Sequence, residues 1–196
     1  MLKRVGSFVS PEHEFSRLHE WVGPGDWVLD IGANVGHYTE RLADLVGLEG
    51  RVIAIEPVSS TFELLAANLS GRSNVTLLNV AASSTIRSVE MSVPDYRAGL
   101  KNFYRAKLGP EASTFSVLSI PVDALNLPRV SLIKLDVEGH ELEALEGMRG
   151  IIEKYKPRLI VEGRSAEVAD WLSGFGYEYC EREGSPNRIY EARNGI

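Results

Sequence analysis

The chain has 196 residues, of which 44 % are hydrophobic and 24 % charged, so it is rich enough in apolar residues for one well-buried globular domain and too apolar for wholesale disorder. It has no uninterrupted run of about 20 apolar residues and no apolar segment after Met1-Leu2-Lys3-Arg4, so neither a membrane partner nor a signal peptide is expected and the cytoplasm is the expected location. Its net charge of −6 argues against a nucleic-acid partner, and its one cysteine, Cys180, excludes an intrachain disulfide, a cysteine zinc site and an iron–sulfur cluster within the chain.

In chain order, strands and helices alternate. This predicts an α/β fold with a mostly parallel sheet in a single domain over residues 1–196. Ser10-Pro11 opens a helix that runs to about Val22, with Phe15, Leu18 and Val22 on one face; residues 1–24 form a helical extension. Trp27 to Ile31 is the first core strand, and Gly32-Ala33-Asn34-Val35-Gly36 turns into a helix reaching about Leu45. Arg51 to Glu56 is the second strand. Ser60-Thr61-Phe62-Glu63 reads as a capping box for a helix lined by Phe62, Leu65 and Leu69, and Val75 to Val80 is the third strand.

Val89–Val93 and Phe115–Ile120 alternate as an antiparallel pair would. Pro94 to Thr114 between them, with Tyr96, Arg97, Tyr104 and Arg105, is a candidate lid or a surface insertion. Ser131 to Asp136 is the fourth strand, followed by a helix from about Gly139 to Met148 and a shorter one near Ile151 to Tyr155. Arg158 to Glu162 is the fifth strand, Ser165 caps the next helix, and Tyr177–Glu181 and Arg188–Glu191 close the chain as antiparallel edge strands.

Asp30, Glu56, Asp136 and Glu162 all end strands, which predicts four carboxylates along the rim where open α/β sheets bind ligands. The glycine turn is not the dinucleotide fingerprint, because Asn34 stands where its second glycine belongs and the third is missing. Glu56 lies 20 residues beyond Gly36, where a carboxylate accepts both ribose hydroxyls. Turn and acid together indicate an adenosine-containing ligand, either a nicotinamide cofactor or S-adenosylmethionine.

Three stretches resemble the FkbM family of S-adenosylmethionine-dependent methyltransferases: Val28 to Thr39, Val52 to Pro57, and Leu132 to Glu141, whose D-V-E-G-x-E pattern is the most specific. The resemblance spans about Gly25 to Glu162. It implies a Rossmann-like class I methyltransferase fold with strand order 3-2-1-4-5-7-6, and O-methylation of a sugar or other small hydroxylated acceptor. It implies Asp30, Gly32, Ala33, Asn34 and Gly36 around the methionine end of S-adenosylmethionine, Glu56 and Pro57 at the ribose, and Ala81 and Ala82 along the adenine. Lys101 to Lys107 depart from the family pattern, which has small polar residues there.

A hydroxyl acceptor must lose its proton, and Asp136, Glu138 and His140 are the candidate catalytic groups, with His37 further off. Asp136, which also borders the cofactor, serves best without metal; a divalent ion held by Asp136 and Glu162 is the less favoured arrangement. Two alternatives stay open: a nicotinamide-dependent oxidoreductase and a non-catalytic binding protein on the same fold. Amino-directed and cytosine-directed nucleic-acid methylation lack their motifs, since Val137-Glu138-Gly139 follows Asp136 and Tyr179 precedes Cys180.

Overall fold

The structure, a computed structural model, describes residues 12–92 and 114–193, together with the backbone of short strands at 95–96, 100–101 and 107–108. The expected cap at Ser10-Pro11 and most of the Pro94 to Thr114 segment lie outside the described residues. In chain order the elements are α1 (His13–Trp21), β1 (Trp27–Ile31), α2 (His37–Val46), β2 (Arg51–Ile55), α3 (Ser59–Asn68), β3 (Val75–Leu78), β4 (Ala81–Ala82), β5 (Arg87–Ser92), β6 (Asp95–Tyr96), β7 (Leu100–Lys101), β8 (Lys107–Leu108), β9 (Thr114–Ile120), β10 (Leu132–Leu135), α4 (Glu141–Glu146), α5 (Arg149–Tyr155), β11 (Arg158–Glu162), α6 (Ala166–Ser173), β12 (Tyr177–Glu181) and β13 (Asn187–Ala192).

Seven strands form the main sheet in the order β3-β2-β1-β10-β11-β13-β12. The first five are parallel, and β13 runs antiparallel to both β11 and β12. Numbered within that sheet, this is the expected order 3-2-1-4-5-7-6. Successive side chains of a strand point to opposite faces, and helices cover both. Leu29, Ile31, Ile53, Ile55, Ile133, Leu135, Leu159 and Val161 pack with Leu145 of α4, Met148 just ahead of α5, Ile152 of α5 and Leu172 of α6. Val28, Val52, Leu132 and Ile160 pack on the other face with Leu18, Leu42 and Val46 from α1 and α2. Truncating one of these fully buried residues, such as Leu135→Ala, costs about 2–5 kcal/mol.

The expected antiparallel pair is β5 and β9, in register from Arg87↔Ser119 to Ser92↔Thr114. It belongs to a second sheet, β4-β9-β5-β8, which Ala81 and Ala82 enter by pairing in parallel with Ser119 and Ile120. This sheet packs through Ala81, Met91 and Val117 on Val58, just past the end of β2.

Four details depart from the sequence expectations. No side chain caps α3: the Val58 N–H is bonded by Glu56 at 2.9 Å, so the helix starts at Ser59 and Ser60 is not its cap. The third strand stops at Leu78, where Asn79 turns its amide onto the Glu56 and Pro57 carbonyls. The helix expected from Gly139 to Met148 starts at Glu141 and stops at Glu146. At Gly147 a Cβ would lie 2.0 Å from the Ser83 carbonyl, so the chain passes there only as glycine. Glu14 is buried with the apolar face of α1, accepting hydrogen bonds from Ser185 and Asn187. The Ser165 cap is present, its hydroxyl accepting from the Val168 N–H. Among the described residues no helix is long and apolar enough to cross a membrane.

Candidate functional site

The sheet register sets the site. Ile31 pairs with Ile55 and Leu135, and Leu135 with Val161, so Gly32, Glu56, Asp136 and Glu162 stand side by side at the carboxyl ends of four parallel strands. Asp30 is not on this rim. Strand β1 continues through Ile31, which leaves Asp30 two residues below Gly32, beside Lys134.

Gly32 has φ +80°, and a Cβ on it would lie 1.8 Å from the Asp136 carbonyl oxygen. Only glycine lets the turn after β1 pass against the end of β10. The Gly32 and Ala33 amides both donate to the Ile55 carbonyl, at 2.9 and 3.0 Å. Asn34 is left-handed at φ +51°, held by its own side chain, which accepts from the Val35 N–H at 2.8 Å. Gly36 then opens α2.

Glu56 is buried, and each carboxylate oxygen takes one backbone donor: Oε2 from Asn34 and Oε1 from Val58, both at 2.9 Å. Burial pushes its carboxyl up to about 7 against the two amide bonds, which pull it down. A carboxylate oxygen has room for a second donor, so both oxygens are still able to accept. Pro57 follows on the partly exposed link to α3.

Asp30 is fully buried and accepts from the Thr39 hydroxyl at 2.5 Å. Burial raises it to about 6, opposed by the Thr39 bond and the Lys134 charge. Its carboxyl thus anchors α2 to β1.

Asp136 and Glu162, ending neighbouring strands, are hydrogen-bonded to each other. The Lys134 ammonium lies 3.2 Å from Asp136 Oδ2, and Lys134 is only 3 % exposed. Burial would raise Asp136, but the Lys134 charge and the Glu162 hydrogen bond outweigh it and hold it below the usual range. Glu162 is pushed up to about 8, first by its bond to Asp136 and then by burial. The Lys134 ammonium beside Asp136 thus favours the negative charge on Asp136 and a shared proton on the Glu162 side of the pair. Among the described residues no three His, Cys, Asp or Glu side chains are grouped to hold a metal ion; the local positive charge is Lys134.

Beyond Asp136 the chain makes a left-handed turn at Glu138, φ +51°, and Gly139, φ +96°, which brings Glu138 within electrostatic range of Glu162. His140 caps this turn into α4. Its Nε2 lies 3.1 Å from the hydroxyl of Ser83, the residue after buried Ala81 and Ala82, and its Nδ1 3.5 Å from Glu143. Burial lowers its pKa, which favours the neutral imidazole. His37 is exposed on the first turn of α2.

The structure thus gathers Gly32, Ala33, Asn34 and Glu56 into one cradle and Asp136 and Glu162 into an adjoining acid pair, while His140 joins the strand of Ala81 and Ala82. Sequence reasoning missed Lys134, Thr39 and Ser83. The one visible signal was a lysine inside the otherwise apolar run Leu132-Ile133-Lys134-Leu135.

This sheet order, with the glycine turn after β1 and the acid after β2, defines the Rossmann-like fold of S-adenosylmethionine-dependent methyltransferases. Residues 30–179 match the Methyltransferase FkbM domain, and the chain belongs to that family. It is 29 % identical over 132 residues to the hexuronic acid methyltransferase AglP of Haloferax volcanii, covering 65 % of this chain and 52 % of AglP. It also resembles the solved FkbM methyltransferase of Methylobacillus flagellatus, with TM-score 0.61 and 20 % identity over 90 % of this chain and 50 % of that one. Aeropyrum pernix fibrillarin, solved with S-adenosylmethionine bound, aligns at TM-score 0.59 and 14 % identity over 91 % of this chain and 73 % of fibrillarin. The chain spans about half the length of AglP and of the Methylobacillus protein.

Proposed function

We propose that this chain binds S-adenosylmethionine and moves its methyl group to a hydroxyl of a small acceptor, a sugar or sugar acid being the first class to test. The carrying observation is the contact between the two halves of the site. The Gly32 turn touches the Asp136 backbone, so an ionised strand-end acid stands beside the cradle. The residues fit the cofactor: Glu56 would accept the ribose hydroxyls, the Gly32–Gly36 backbone would take the methionine end, and Ala81 and Ala82 would flank the adenine. When bound, S-adenosylmethionine supplies an already activated methyl group. The protein then mainly orients the acceptor, an effect of about 7–11 kcal/mol, and Asp136 removes the hydroxyl proton, adding roughly 10²–10⁴-fold. The name of AglP supports a sugar-acid acceptor.

The test is incubation with S-adenosylmethionine and a panel of sugars, uronic acids and other hydroxylated compounds, reading S-adenosylhomocysteine and acceptor mass. A methyl ether on one acceptor class supports the proposal. Methylation only on nitrogen or carbon, or cofactor binding without transfer to any acceptor, refutes it.

A further inference from the structure

Lys134 is the feature that the site as described does not need for its shape. Its neighbours on β10, Leu132, Ile133 and Leu135, are fully buried hydrophobics. An apolar side chain would continue that pattern without the several kcal/mol it costs to bury an ammonium, and buried ion pairs are poor stabilisers compared with apolar packing. The surroundings are specific. Asp30 is its cross-strand neighbour on β1, and Asp136 lies two residues on along the same face. The Tyr38 ring of α2 lies 5.3 Å from Nζ, while the Tyr38 hydroxyl donates to Glu12 at 2.5 Å. Glu162 meets Asp136 from β11, and Glu138 acts on Glu162 from the turn beyond. Glu12, ahead of α1, and Glu14 within it act on Tyr38 from the remaining side.

We propose that Lys134 is a positioning residue for the methyl-accepting hydroxyl: its ammonium fixes the Asp136 carboxylate and divides the work of the two strand-end acids, Asp136 taking the hydroxyl proton while Glu162 hydrogen-bonds Asp136 from the next strand. This rests on the methyl-transfer reading above. The acceptor O–H proton passes to Asp136 as the acceptor oxygen forms its bond to the methyl carbon. The carbon–sulfur bond of the sulfonium donor breaks, and its electron pair stays on sulfur. The acid pair goes from one proton to two, and the second proton leaves to solvent before the next turnover. The ammonium keeps that second proton weakly held, so Asp136 returns to its anionic form.

The test compares wild type, Lys134→Met and Lys134→Arg. Carbon-13 NMR of the carboxyl groups, in the cofactor-free protein, follows their titration; the pH profile of kcat is measured with an accepted hydroxyl substrate. In wild type Asp136 is expected to ionise well below Glu162. In Lys134→Met the Asp136 midpoint should rise by about 1–3 pH units, the effect of removing an opposite charge at this range. The acid limb of kcat should move with it, and KM for the cofactor should hold within about twofold, since binding uses other groups. Lys134→Arg should keep both near wild type. Should Lys134→Met fail to fold, the wild-type titration decides alone: Glu162 ionising before Asp136 overturns the assignment. A midpoint unmoved in folded Lys134→Met overturns it too, as does a moved midpoint with an unmoved kcat limb. Wild-type protein that methylates no hydroxyl, with the NMR shift present, overturns the transferase reading and the hydroxyl role together, and the shift itself shows that the Lys134–Asp136 charge coupling was not what failed.

Discussion

Replacing Glu56 with glutamine keeps the shape of the side chain and removes its ability to ionise. In the folded protein Glu56 titrates near 7, against 4.5 for an ordinary glutamate. Between those values the folded state holds a proton that the unfolded state has lost, so stability falls as pH rises through this window. At 1.36 kcal/mol per unit, the loss amounts to about 3 kcal/mol between pH 4.5 and 8. Glu56→Gln is free of that loss. It has a different one: its amide oxygen accepts from Asn34 or Val58, its NH₂ faces the other, and one buried N–H goes unpaired at about 1–3 kcal/mol. The variant should therefore be less stable than wild type by about 1–3 kcal/mol at pH 4 and equal to it, or up to about 2 kcal/mol more stable, at pH 8. Asp30 and Glu162 also titrate upward, but they are common to both proteins and cancel in the difference. Urea unfolding at the two pH values measures this, and calorimetry with S-adenosylhomocysteine at pH 8 should show affinity lower by about 1.5–3 kcal/mol. A stability gap that is the same at both pH values refutes the argument from burial; unchanged affinity removes Glu56 from the ribose.

Gly32→Ala should lower stability by at least about 2 kcal/mol, because the new Cβ meets the Asp136 carbonyl at φ +80°; a wild-type melting temperature would contradict so close a crossing. Asp136→Asn should cut turnover by about 10²–10⁴-fold and leave S-adenosylhomocysteine affinity within about 1 kcal/mol; full turnover would remove Asp136 from the chemistry. S-adenosylmethionine and S-adenosylhomocysteine should bind at micromolar strength and NAD not measurably, which calorimetry decides; tighter NAD binding would restore the oxidoreductase alternative.

The main sheet was legible because its central strands are short apolar runs ending in a glycine or an acid, and a doubly covered parallel strand has no other way to look. Glu56 and Asp136 were legible for the same reason, each ending such a run. Lys134 was not, since its meaning depends on Asp30, which reaches it only through strand pairing across more than half the chain. The false capping box at Ser60 has a similar origin: Ser60 and Glu63 have the right spacing, but the helix already starts at Ser59 behind Val58, whose N–H is held by Glu56 from the end of β2. His140 as a partner of Ser83 likewise needs a contact 57 residues apart, which no local pattern encodes.

The tie between Glu14 and Ser185 has a consequence for how the protein is made. The two residues are 171 apart, so a ribosome adding about 5–20 residues per second needs roughly 10–30 s after making α1 before it supplies the hydroxyl that Glu14 uses. Through that interval Leu18 and Val22 have an apolar stripe to hide, and the carboxylate among them still needs water. Helix α1 is thus among the last of the described elements to settle, and Ser185→Ala should speed amide exchange in α1 more than in β1 or β10.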